Sequence, residues 1–103
     1  MNYEVEISLQ AEMDLRDIYE YIAFILLAPE NAISQLRRLE KGILGLTECP
    51  MRHRKYEKEP WKSRGLRVFP IDNYVLLYVT DEELKKVSIV RVMYSGRNIE
   101  DVF

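Results

Sequence analysis

The stretch Tyr74-Val75-Leu76-Leu77-Tyr78-Val79-Thr80 decides the fold. It is uncharged, dominated by aromatic, aliphatic and β-branched side chains, and has no polar alternation, so it forms a strand covered on both faces. Asp72-Asn73 before it and Asp81-Glu82-Glu83 after it are turn sequences, because short polar side chains satisfy the backbone groups a turn exposes. Leu66 to Ile71 on one side and Val87 to Tyr94 on the other are then its neighbouring strands, and three strands joined by tight turns make an antiparallel meander. The middle and last strands read as buried on both faces. Pro70 belongs at a strand end or on an edge, since it has no N–H to give to a ladder.

Working toward the N-terminus, the pattern changes period. Ala32, Leu36, Leu39, Ile43 and Leu46 recur at steps of four and three, as do Ala11, Leu15, Ile18, Ile22 and Ile25, so each set lies along one face of a helix. Ser8 is placed to cap the first helix, and Pro29 to close it and open the second at a position where a missing N–H costs nothing. Glu12, Asp14, Arg16, Asp17 and Glu20 fall mostly off the apolar stripe. Tyr3 to Ser8 alternates apolar and acidic residues and reads as a half-buried strand. The order is therefore β-α-α-β-β-β. An α+β architecture follows, with a helical hairpin over residues 10–47 packed on one face of a twisted, mainly antiparallel four-stranded sheet.

With 103 residues, 48% hydrophobic and 31% charged, the chain has ordinary globular composition, which excludes disorder as its default. A chain this long buries roughly two-thirds of the surface its unfolded form exposes, enough for a single domain over residues 1–103. Cys49 is the only cysteine, so an internal disulfide and a thiolate cluster for metal are both excluded, and it reads as a small hydrophobe at a helix end. No secretory leader pattern opens the sequence, and the apolar run Ile22 to Pro29 is too short to span a bilayer, so a cytoplasmic location is expected, with no membrane partner.

The net charge of −2 hides a segregation. Residues 1–51 sum to −5, residues 52–67 carry seven basic and two acidic side chains, and residues 68–103 sum to −2. Six of those seven basic residues sit in Thr47 to Arg64, a stretch bounded by Pro50 and broken by Pro60 that has no useful period and reads as a long loop. Loops of that length in compact domains are usually functional. Clustered lysine and arginine attract nucleic acid through counterion release, and they attract an acidic protein tail equally well.

Three segments, in order and at these separations, resemble the RelE/ParE toxin superfamily of type II toxin–antitoxin systems over nearly the whole chain. Ala11 to Ile18 followed by Tyr21-Ile22 is similar to the first helix of that superfamily. Gly65-Leu66-Arg67 followed by Asn73 to Tyr78 is similar to its second and third strands, and Arg91 to Ile99 to its last strand and tail. The resemblance implies a toxin that arrests bacterial growth unless held by a cognate antitoxin, acidic and partly disordered. It also implies one of two targets: mRNA on the ribosome, cleaved without metal or cofactor by an mRNA interferase, or DNA gyrase, trapped without RNA cleavage. A degenerate toxin that serves only as an antitoxin-binding module is the remaining expectation.

Metal-independent RNA cleavage needs a proton acceptor, a proton donor and cations around the scissile phosphate. By resemblance, Arg97 stands where RelE-like enzymes place an essential tail arginine. Arg67 stands at the strand cation, with Lys62 a companion from the loop, and Tyr94 takes the place of a histidine found in many relatives. Arg67, Tyr94 and Arg97 are therefore the candidate catalytic set. Arg52, Arg54, Lys55, Lys58, Lys62, Arg64 and Phe103 are the candidate contacts for nucleic acid or antitoxin. The nuclease reading, narrowly preferred on the basic block, requires Lys62, Arg67 and Arg97 to converge on one exposed concave surface. Two departures lean toward the gyrase reading: Val75 replaces an arginine of the nucleases, and Phe103 lacks the hydroxyl of their terminal tyrosine. His53, lying among Arg52, Arg54 and Lys55, is read as a solvated histidine, and Arg91 as the partner of a buried carboxylate or of carbonyls.

Overall fold

The computed structural model describes residues 2–99. Along the chain run β1 (Glu4–Ile7), α1 (Leu9–Glu20), a π-helical turn (Tyr21–Ile25), α2 (Pro29–Gly45), a short 3-10 turn (Pro50–Arg52), β2 (Arg67–Ile71), β3 (Tyr74–Asp81) and β4 (Lys86–Tyr94). The strands form one sheet in the order β1-β4-β3-β2, with β1 parallel to β4 and the other pairs antiparallel. The helical hairpin crosses one face and closes a core of Leu15, Leu39, Ile43, Leu76, Tyr78 and Ile89. On the other face Leu66, Val68, Val75, Leu77 and Met93 form a second core. Tyr56 and Trp61 of the long loop cover it, with Ile99 of the tail, which is why β3 carries no polar alternation.

Local signals in the sequence act where expected. The Ser8 hydroxyl accepts the Ala11 N–H at 3.0 Å, and Pro29 occupies the first turn of α2. Pro70 lies in β2, whose outer edge is shielded upstream by the loop: Val68 N donates to the Arg54 carbonyl, and Lys55 bridges to Arg67.

The apolar stripe of α1 breaks down at its end. Leu26 N reaches back five residues to the Tyr21 carbonyl at 3.0 Å, so one extra residue enters the turn. Ile22 and Ala23 stay buried, but the next four residues are rotated off the core, and Ile25, which the spacing places inward, faces solvent. Asp14 departs in the opposite direction: expected off the stripe, it is buried. Cys49 is exposed in a left-handed conformation after α2 and packs in no core.

Asp14 is buried because β1 is shorter than β4. The parallel pairing stops at Ile7, where Ser8 turns the chain into α1, and the edge of β4 beyond Ile89 loses its partner strand. The Ser8 hydroxyl donates to the Val90 carbonyl, and the Asp14 carboxylate accepts the Val92 N–H at 2.9 Å. The same carboxylate takes the Arg91 guanidinium at 2.8 and 3.0 Å, as the reading of Arg91 anticipates. One side chain thus finishes the ladder and neutralises Arg91 in the middle of β4.

Candidate functional site

Two separate regions hold the candidate residues. The first is a cleft of about 540 Å³ between the end of α1 and the end of the sheet, lined by Asp17, Ile18, Tyr21, Tyr74, Tyr94 and Arg97 among others. Tyr74 and Tyr94 are register partners at the ends of β3 and β4, and their rings meet edge to face with centroids 6.1 Å apart. Gly96 permits this. A Cβ there would sit 2.6 Å from the edge of the exposed Tyr94 ring, so a side chain at this position would push the ring from its place beside Arg97.

Among the described residues, neither the Arg97 guanidinium nor the Asp17 carboxylate makes a hydrogen bond or ion pair, although both line this cleft. The site therefore offers one free cation, one free anion and three phenol rings. Burial pushes the Tyr74 hydroxyl above its ordinary value, and Tyr94 and Tyr21 push it the same way. At neutral pH Tyr74 is a hydrogen-bond donor and not a base.

The second region lies at the far end of the same sheet face. Arg67 pairs across from Tyr78, four residues along β3 from Tyr74, which separates it from the Arg97 cleft by about 13 Å along the strand. Its guanidinium is engaged: Nη1 donates to the carbonyls of Met51 and His53 at 3.0 and 2.7 Å, fastening the 3-10 turn to the sheet. The Tyr78 hydroxyl donates to the Pro50 carbonyl in the same cluster, and burial raises its pKa to about 12.

His53 is not the solvated histidine of the sequence reading. Its ring stacks on Phe69 with centroids 3.7 Å apart and meets Tyr78 edge-on. Burial lowers its pKa, with Arg52 and Arg67 acting the same way, so it is held neutral. Its Nε2 is sealed from solvent without a partner, and a sealed nitrogen cannot take a proton from a docked substrate.

Lys62 follows Trp61, which packs on the opposite face of the sheet with Arg64 over its ring at 4.9 Å. Arg52, Arg54, Lys55, Lys58, Lys62 and Arg64 are all exposed, and the backbone of Arg54 and Lys55 runs along the β2 edge. The structure therefore brings Tyr94 and Arg97 together and sets Arg67 at the other end of the sheet, with its guanidinium engaged. Val75 is buried in the second core, where an arginine would have to displace apolar packing. Phe103 lies outside the described residues. Tyr21 and Asp17 are cleft residues that sequence reasoning did not single out; the available signal was their position off the stripe at the end of α1.

Residues 5–99 match the family model described as "ParE toxin of type II toxin-antitoxin system, parDE". No curated protein gives a significant match. Three solved structures share the fold. The chromosomal ParDE toxin–antitoxin system from P. aeruginosa has a TM-score of 0.72 at 18% identity, covering 89% of this chain and 95% of that one. The RelBE2 toxin–antitoxin complex from Mycobacterium tuberculosis has 0.69 at 23%, covering 91% and 99%. The archaeal RelE–RelB complex from Pyrococcus horikoshii OT3 has 0.67 at 18%, covering 95% and 100%. Among the described residues, no helix is long and apolar enough to cross a membrane.

Proposed function

The chain belongs to the ParE toxin family of type II toxin–antitoxin systems, and on that premise we propose that it arrests growth by holding DNA gyrase and not by cutting mRNA. One observation carries the choice: the cations that RNA cleavage would have to gather are apart. Arg67 holds the Met51 and His53 carbonyls, and Arg97 lies at the other end of the sheet. Phosphoryl chemistry without metal needs those groups within one ligand's reach. A binding inhibitor needs only an exposed surface.

An antitoxin partner is part of the same proposal. The P. aeruginosa, M. tuberculosis and P. horikoshii structures are of toxin–antitoxin systems or complexes. An acidic, partly disordered antitoxin tail suits the exposed loop cations from Arg52 to Arg64.

The experiment is a supercoiling assay on purified gyrase with the purified chain, beside primer extension on cellular mRNA after induction. Inhibition with intact messages is expected. Unaffected gyrase at saturating protein, together with new message breaks, would transfer the function to the nuclease reading. That second reading rests on Arg97, which is unpaired among the described residues and lies beside Tyr94 in an open cleft. Under it Arg97→Ala abolishes the breaks, whereas Arg67→Ala acts chiefly by loosening the 3-10 turn.

A further inference from the structure

The tip of the helical hairpin exposes an apolar surface outside the core, of which only Tyr21 also lines the cleft. Tyr21 to Pro29 carries no charge. The π-helical turn rotates the end of this run outward, leaving Phe24 67%, Ile25 68% and Leu27 80% exposed, with Leu26 and Tyr21 also more than half exposed. A regular α-helix would have kept Ile25 on the buried stripe. Such π-turns recur where a fold has a task beyond packing.

Leu27 adds an independent observation. It sits at φ 54°, in the left-handed region, where a side chain with a Cβ is disfavoured and glycine or asparagine is the ordinary choice. An isolated subunit gains nothing from a leucine there, since it strains the backbone and is the most exposed large apolar residue of the described chain. Strain kept at an exposed position points to a contact that the side chain makes with something else.

We propose that this tip is a self-association surface, and that its occupant is the same tip of a second copy of this chain, related by a two-fold axis. The area fits. Taking roughly 200 Å² for a large side chain, the four residues from Phe24 to Leu27 expose about 540 Å² per copy, and two copies reach the roughly 1,000 Å² that a specific interface needs. The rim does not oppose it: Glu20 lies 3.9 Å from Arg16, which leaves Asp17 and Glu30 as unneutralised acidic charges, both screened at physiological salt. A two-fold contact places each tip against its own copy, so apolar meets apolar without a complementary groove elsewhere on the molecule. The proposal is independent of whether gyrase or mRNA is the target.

The test is sedimentation of the full chain over roughly 1 to 100 μM, a range chosen to bracket a moderate dimer affinity. Twice the monomer mass is expected to appear as concentration rises. Leu27→Gly should raise the dissociation constant at least about tenfold, as truncation of a central anchor does. Its urea midpoint should not fall, because glycine fits the left-handed position. Phe24→Ser should weaken association similarly, and Leu84→Ser, an exposed apolar residue in the β3–β4 turn, should leave it unchanged. A chain that stays monomeric throughout overturns the proposal. So does a dimer that Leu27→Gly and Phe24→Ser both leave intact, which would place the interface on another face.

Discussion

Replacing Asp14 by alanine removes the acceptor of four bonds at once: two from the Arg91 guanidinium, one from the Val92 backbone and one from the Gln10 side-chain amide. The pair is largely shielded, with side-chain exposures of 8% for Asp14 and 17% for Arg91. Breaking a buried pair from one side costs about 3–5 kcal/mol, because the remaining charge stays desolvated. That is a large share of the roughly 5–15 kcal/mol that stabilises a domain of this size. With an m-value of roughly 1.5 kcal/mol/M, the urea midpoint followed by circular dichroism should fall by about 2–3 M. The double variant Asp14→Leu with Arg91→Met separates the components. Exchanging the ion pair for apolar side chains is close to neutral in itself, but the Val92 N–H at the unpaired edge of β4 is still left without an acceptor, a loss of about 1–3 kcal/mol. The double variant should therefore be more stable than Asp14→Ala and less stable than wild type. If Asp14→Ala lies within about 1 kcal/mol of wild type, as an exposed ion pair would, the carboxylate is not completing the edge of β4 and the reasoning fails.

Two further perturbations follow from the same structure. His53 has a folded pKa held below the ordinary 6.5, first by burial and then by Arg52 and Arg67, so the unfolded chain binds the proton more readily. Its contribution to stability is complete above pH 6.5 and is lost as pH falls through the folded value; a urea midpoint that declines from pH 7 to pH 5 in wild type and flattens in His53→Leu checks this. Within α2, Gly45→Ala meets nothing and should raise stability by about 0.5–1 kcal/mol through helix propensity, whereas at Gly42 the new methyl meets the Ile71 side chain and the ring of Phe69. Gly42→Ala should gain less than Gly45→Ala or lose stability, and equal thermal midpoints for the two variants would contradict the packing of α2 on β2.

The sequence by itself determined the element order, the sheet-covering hairpin and the two-sided burial of β3, since period, capping and turn chemistry act within a few residues of each other. Ser8, Pro29 and the run from Tyr74 to Thr80 show their roles without knowledge of the rest of the chain. The register of the sheet was decided only by tertiary structure. It set Arg67 opposite Tyr78, and so placed it far from Arg97 although both belong to the same motif set. The shortness of β1 relative to β4 turned Asp14 inward, and the extra residue in the turn after α1 turned Ile25 outward. Charge clustering along a chain records which residues are neighbours in sequence; whether their guanidinium groups can meet one ligand depends on strand pairing and face, which local patterning does not encode.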